Sequence, residues 1–561
     1  MKSTLLFIIL LFCAFKTNAQ TLYFSFKTQN PSEAKIIDTL KYVKTHQNLN
    51  SIEANIKKTT ANLYKKGYID NKIGLLEKLN DSTFSATIYL GEQIKTITLH
   101  NFKEIVTSSK NSKPTIKEPT ILQYELLQPF LDSILKNQED QGYPLTKIQL
   151  LNLKRKKNNL DADLLIESNV IRRINSLITP NAKEARLPKG HQRNIEKKYL
   201  NKVYNLKTLQ SIYEQYNTLG FVKNSKYPEL LLTQDSTKVF VYLEKQKANK
   251  FDGFVGLNTA ENGRLRVSGY LDFELLNSMK KGERISINWR SNGSDQKVFD
   301  ARLDLPYLFN SPLGIKTNLN IFRQDSTFQN TKTALSLYYQ LHSNKKIAFE
   351  YQSTISSSTA AIDNLNTPSY SNRFIAGSFE LSHSKDQSSL SGKETFLQVN
   401  LGFGQRQANT QSESSNQLLT QIHFKKIAIF SQKIHLLTNS KAFILRSPTY
   451  IQNELYRFGG LNSLRGFNEN SLQASFAASI MTELRYVLAR QLYFHSILDY
   501  AYTNDQTKKN ESLINTNLVG LGVGLGLQTK NGILKLAFAN GLSNGNNLNT
   551  RLIHLSYNVK F

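Results

Sequence analysis

Two periodicities divide the chain. Up to about residue 248, apolar positions recur at helical spacing in stretches that end in glycine plus an aromatic or its neighbour. These are ANLYKKGYI at 61–69, LKNQEDQGYPL at 135–145 and IYEQYNTLGFV at 212–222. Glycine there suits the left-handed residue that closes a helix. Gly67, Gly142 and Gly220 lie 75 and 78 residues apart. Period-two alternation follows each of them: Phe84, Ala86, Ile88 and Leu90 before GEQIKTITL; Leu160, Ala162, Leu164 and Ile166 before NVIRRINSL; Val239, Val241 and Leu243 in KVFVYLEKQ. The pattern predicts helices packed on one face of a small mixed sheet, repeated as an array of like modules over 20–97, 98–172 and 173–248.

From residue 249 to 561 the texture is strands and turns alone: RLRVSGYLDFEL, ERISINWRS, IKTNLNIF, ALSLYYQL and FLQVNLGFG. In LVGLGVGLGLQ, Val519, Leu521, Val523, Leu525 and Leu527 take one face and Gly520, Gly522, Gly524 and Gly526 the other. At the end of the chain Ile553, Leu555, Tyr557, Val559 and Phe561 share a face opposite His554, Ser556, Asn558 and Lys560. Apolar-out with polar-or-small-in is what a transmembrane β-strand requires, and at ~20 residues per strand with its connection the segment holds ~16 strands. The expected fold class is therefore α+β repeats followed by an antiparallel transmembrane β-barrel of about 16 strands. Tyr557, Val559 and Phe561 form the expected C-terminal insertion signal. Residues 306–312 (PYLFNSP) read as a periplasmic turn, and the serine-rich stretch 352–393 reads as long outer loops. The first strand is expected near 254–258 and the last at 552–561.

Composition narrows the setting. Residues 1–19 read as a signal peptide: Met1-Lys2, an apolar run from Leu5 to Phe15, and a cut after Ala19. That run is too short to span a bilayer, and a closed barrel is the remaining way to satisfy a backbone in lipid. Cys13 is the only cysteine, so the mature chain has no disulfide, thiolate nucleophile or zinc-thiolate site. The formal charge of +28 suggests an anionic neighbour. Export and scattered lysines point to a membrane surface rather than nucleic acid. The one dense basic run, KRKK at 154–157, reads as a solvated hairpin edge. There is no GxSxG, HExxH or P-loop motif, and the glycines of 520–526 repeat at period two rather than as GxGxxG. No catalytic residue, metal site or cofactor is expected, and the protein is not read as an enzyme.

One stretch stands apart. RFGGLNSLRGF at 457–467 places Gly459, Gly460 and Gly466 around Arg465, between the strand patterns SKAFILRS and SIMTELRYVL, with Glu454 the nearest upstream carboxylate. Alternation turns Glu483 inward in SIMTELRYVL, and His495 and Asp499 inward in YFHSILDYAY.

Signal peptide, three modules, barrel and the tetrad Leu464, Arg465, Gly466, Phe467 together resemble the BamA/TamA superfamily of outer-membrane assembly and translocation proteins. The modules look like polypeptide-transport-associated (POTRA) domains. The family's tetrad is Val/Ile-Arg-Gly-Phe/Tyr on the sixth outer loop; here leucine stands first. The resemblance implies that the loop tucks into the lumen and that Arg465 meets Asp499 first and Glu483 second. It also implies an outer-membrane barrel with periplasmic modules, a seam between first and last strands that opens sideways, and no cofactor. Outer-membrane lipid and extended client proteins would be its partners, with a periplasmic subunit as a further one. Two other functions remain open: a two-partner secretion pore for one passenger, which usually has two POTRA domains and a plug helix, and a structural or solute-channel barrel.

Overall fold

The computed structural model describes residues 21–560 apart from 107–118, 260–264, 293–295, 326, 343, 359–366, 386–392, 411–412, 490, 509–514, 530–531 and 545. The expected signal peptide with Cys13, and Phe561, lie outside the described residues. The chain divides into two units, Met1–Arg173 with Val203–Lys207, and Ile174–Lys202 with Thr208–Phe561.

The first unit contains two like modules. In the first, helices α1 (Pro31–Thr39) and α2 (Leu49–Lys65) accompany a sheet ordered 45–46, 22–28, 83–89, 72–78, whose middle pair is parallel. Asn48 caps α2, its side chain accepting from the Ser51 amide at 2.9 Å. The alternating Phe84, Ala86 and Ile88 reach the core because period two sends them to one face, where Phe24, Ile52 and Leu63 meet them. In the second module, helix α3 (Leu127–Asp140) accompanies strands ordered 120–123, 96–106, 159–168, 147–156. Its first long strand starts at Thr96, ahead of the expected module start at 98. Leu160, Ala162, Leu164 and Ile166 all enter its core.

The repeated glycines have φ of +91° (Gly67), +99° (Gly142) and +78° (Gly220), as a left-handed helix end demands. The first two also do something that spacing did not reveal. The Gly67 carbonyl accepts from the Ile94 amide at 2.9 Å and that of Gly142 from Arg172 at 2.8 Å, so each helix end fastens the chain that leaves its own module. The basic run is exposed at the end of the edge strand 147–156, as expected, with one addition. Arg155 is not merely solvated: it bridges Asp70 and Glu92 of the preceding module, the latter at 3.1 Å. Those carboxylates lie about 60 to 85 residues away in sequence, out of reach of a local reading.

In the second unit a third module carries helices α4 (Lys189–Tyr199) and α5 (Leu206–Asn217) with short strands ordered 229–232, 237–240, 174–178. It leads into sixteen antiparallel strands. These are β1 (Lys250–Thr259), β2 (Leu265–Leu276), β3 (Arg284–Asn292), β4 (Gln296–Leu305), β5 (Leu313–Gln324), β6 (Phe328–His342), β7 (Lys345–Ser358) and β8 (Tyr370–Lys385). They continue with β9 (Lys393–Ala408), β10 (Ser415–Ile429), β11 (Ile434–Arg446), β12 (Phe476–Ala489), β13 (Leu492–Asn504), β14 (Asn515–Gln528), β15 (Gly532–Ser543) and β16 (Asn546–Lys560). Every sequential neighbour pairs with the next, and the order closes through a seam with two register pairs among the described residues, Lys250 with Lys560 and Phe251 with Val559. Outside, Leu337, Phe349, Ile375, Phe403, Leu484, Phe494, Leu498 and Val523 are exposed, an apolar band that calls for lipid.

The β4–β5 turn lies on the module side. There α4 is pinned by His191, whose ring meets Tyr307 at 4.6 Å and Phe221 at 5.5 Å and covers Gly282. Asn277 donates to the Arg186 carbonyl at 2.9 Å from the β2–β3 turn. His191 is 6% exposed and its Nδ1 has no hydrogen-bond partner; burial first, then the charge of Lys346, pushes its pKa down to about 3.

The stretch 352–393 is not one set of long loops. Residues 352–358 finish β7, and 370–385 form all of β8. Its polar residues alternate toward the interior, where Gln352, Thr354, Ser356 and Asn372 are buried while Ile355 and Ile375 are exposed. A wet or plugged lumen tolerates the residues that composition alone assigns to loops.

Candidate functional site in the lumen

The sixth connection on the far side, residues 447–475, leaves β11 and returns to β12. Its two limbs pair antiparallel, Tyr456–Phe458 with Leu472–Ala474, and present 459–471 as a tip. Gly460 and Leu464 bridge across that tip, the Gly460 amide donating to the Leu464 carbonyl at 3.0 Å. Gly466 has φ +88°, and a Cβ there would run into the Asn540–Gly541 backbone of β15. Glycine is needed both for the conformation and for the approach.

Arg465, 1% exposed, is the centre of the site. Its Nε and Nη2 donate to the two oxygens of Asp499 at 2.8 and 2.6 Å, and its main-chain amide adds a third bond at 3.1 Å. Nη1 donates to Glu483 at 2.8 Å, and Nη2 also to the Thr482 carbonyl at 3.0 Å. The planar fork suits one carboxylate taken by two nitrogens, which a lysine could not reproduce. The other oxygen of Glu483 accepts from Arg485 at 2.6 and 2.9 Å. Two guanidiniums and two carboxylates thus balance in one buried cluster, the condition under which buried charge is tolerated. Asp499 is on β13 and Glu483 on β12, so the tip is tied to two adjacent strands.

Leu464 and Phe467, 0% and 3% exposed, bury the apolar side of the tip with Phe458, Ala474, Ala477, Ala501 and Leu518. The glycine stripe of β14 is a slot. A Cβ at Gly520 would strike the Arg465 carbonyl, and at Gly524 and Gly526 the rings of His495 and Tyr493.

The loop also reaches the opposite wall. Glu469 pairs with Arg290 of β3 at 2.7 Å, and the Arg457 guanidinium lies 5.3 and 5.4 Å from the ring centres of Phe322 and Phe328. A buried pair that sequence reasoning missed, Arg406 of β9 with Glu454, lies at the loop root. Its one visible signal was Glu454 standing just upstream of the glycines. Of the C-terminal residues, Tyr557 and Val559 lie on β16, and Phe561 is outside the described residues.

No family model matches the sequence, and no curated protein matches it. Among solved structures, CdiB from Escherichia coli matches with a TM-score of 0.51 at 14% identity, over 96% of this chain and 100% of that one. The chain has a CdiB-like fold. CdiB from Acinetobacter baumannii matches with a TM-score of 0.48 at 13% identity, over 84% of this chain and 91% of that one. BamA from Haemophilus ducreyi lacking POTRA domains 1–3 follows with a TM-score of 0.47 at 11% identity, over 82% and 99%. At such identities the CdiB-like fold is a statement about architecture, POTRA-like modules followed by a sixteen-strand barrel. Among the described residues no helix is long and apolar enough to cross a membrane.

Proposed function

We propose that this chain is an outer-membrane protein of the BamA/TamA type that assembles, inserts or translocates client proteins, with its modules in the periplasm. The observation that carries this is the tip latch: Arg465 locked to Asp499 and Glu483 inside a barrel whose first and last strands share two register pairs. A plain channel has no use for either feature. The edge strand Lys72–Lys78, with Leu75 90% exposed, offers main-chain hydrogen bonds and an apolar handle to an extended client. A client strand would then pair at the short seam, where an edge is least satisfied. Insertion is the reading we take first, because edge pairing leaves the loop in place whereas passage through the lumen would have to displace it.

The CdiB-like fold favours a second reading, a secretion pore for one passenger. A disulfide between cysteines introduced by Phe251→Cys and Val559→Cys, combined with proteomics of outer membrane and medium, separates the two. Loss of many unrelated barrels on locking supports insertion through the seam. Normal client levels from a locked barrel would end the seam mechanism. Loss of one secreted protein on depleting the chain supports the pore, and no change in either fraction supports a structural or channel role.

A further inference from the structure

The loop that carries Arg465 has a second buried charge pair, far from its tip. Arg406 on β9 and Glu454 on the ascending limb have side chains 0% and 1% exposed and are joined through Nη1 and Oε1. Arg406 also donates to the Thr449 carbonyl at 3.2 Å and its hydroxyl at 2.6 Å, both on the same limb. Glu454 accepts from Gln417 of β10 at 2.9 Å and from the Ile451 amide at 3.3 Å. One residue before it, Asn453 donates to Ser356 of β7 and to the Pro368 carbonyl, both at 2.8 Å, and its own carbonyl accepts from Asn330 of β6 at 2.6 Å. Ile451 packs on Tyr370 and Ala408. None of these groups touches the Arg465 cluster, and the strands involved are different.

We infer that Arg406 and Glu454 form a root anchor, holding the ascending limb against β6–β10 independently of the Arg465 latch that holds the tip against β12–β15. Arg406 is a positioning residue: it fixes where the loop enters the lumen. Releasing the tip alone then leaves the loop hinged inward from its root, and full withdrawal requires breaking both anchors. A buried ion pair suits such a role, because removing either partner strands the other charge in a dry site.

Cys13 is the only cysteine in the sequence, so in a Cys13→Ser background single thiols report cleanly. Ala408→Cys places one under the root, and Ala501→Cys places one under the tip; both alanines are 0% exposed. In the full-length protein in outer-membrane vesicles, Arg406→Met should raise maleimide labelling at position 408 by about tenfold or more and leave 501 unchanged. Arg465→Met should do the reverse. Exchanging the charges, Arg406→Glu with Glu454→Arg, should bring labelling at 408 back toward the parent. If both positions respond together to either variant, or 408 ignores Arg406→Met, the root anchor is wrong. Should Arg406→Met fail to fold, Glu454→Gln gives the same readout with shape retained: position 408 rising alone supports the anchor, and 408 unmoved overturns it. The effect on client passage rests on the function proposed above, but the labelling does not. Normal client levels with an uncovered root would leave the anchor standing and count against a fixed loop in that function.

Discussion

Tip and root of one loop solve the same problem with opposite polarity. At the tip the arginine is on the loop and the carboxylates, Asp499 and Glu483, are on the wall. At the root the arginine, Arg406, is on the wall and the carboxylate, Glu454, is on the loop. The tip balances two guanidiniums against two carboxylates, whereas the root surrounds one pair with the neutral groups of Thr449 and Gln417. Chemistry of this kind is selected by the need to satisfy a buried charge, not by which partner belongs to which element. The two anchors also grip different arcs of the barrel, so the loop is a strap across the lumen as well as a plug.

The comparison is broken most directly by deleting each arginine. Arg465→Ala leaves Asp499, 0% exposed, without its cation, and leaves Glu483 with Arg485 alone. It should cost about 3–5 kcal/mol, read as a lower temperature for the heat-induced shift in gel mobility. Arg465→Lys should recover only part, since an ammonium cannot take both Asp499 oxygens at once. Arg406→Ala strands a single carboxylate and should cost less. The double variant should equal the sum of the singles within ~0.5 kcal/mol, because the anchors share no partner. A strongly non-additive double variant would merge them into one unit.

A smaller effect isolates the tip without touching charge. Gly520→Ala puts a methyl group onto the Arg465 carbonyl, while Gly377→Ala, on another barrel strand, meets nothing within 4 Å. The first should destabilise by about 2 kcal/mol through overpacking and the second hardly at all. It should also uncover the tip thiol and leave the root thiol protected. Equal effects from the two glycines would mean that the slot does not seat the loop.

These two anchors differ just as much in how far sequence betrays them. Arg465 was legible because glycines isolate it in a short motif; strand alternation turned Asp499 and Glu483 inward, and the family resemblance singled them out as its partners. The module repeat was legible from glycine-aromatic endings, since left-handed helix ends leave few alternatives to glycine. The root was hidden. Arg406 and Glu454 are 48 residues apart and neither belongs to a motif. Moreover, the wall that receives the root, with Ser356 on β7 and Tyr370 on β8, falls in the stretch whose serines and asparagines read as solvated loop. Polarity separates loop from strand only when a strand's inner face is apolar, and here that face is polar and covered by another segment of chain. The pairs of Arg155 were out of reach for a related reason: its partners Asp70 and Glu92 come from a different module.

The module side of the barrel supplies a third contact, held without charge, and it sets the last and smallest prediction. His191 wedges α4 onto Tyr307 and Gly282, and its pKa of about 3 against an ordinary 6.5 means that the docked state refuses a proton the released state accepts. Between those values the released form binds more protons, so docking is at full strength above about pH 6.5 and weakens as pH falls toward 3. At pH 5.5 the loss is about 1.4 kcal/mol, a tenfold rise in the released population. Spin labels at the exposed positions Lys197 and Lys280 should show a distance distribution that broadens reversibly between pH 7.5 and about 5.5. His191→Phe keeps the ring against Tyr307 but has nothing to titrate, so its distribution should not change with pH. Broadening in that variant too would place the sensitivity elsewhere. A distribution that stays narrow in the parent would mean that His191 is not what holds α4 to the barrel, and that the charged anchors of the loop have no uncharged counterpart on the opposite rim.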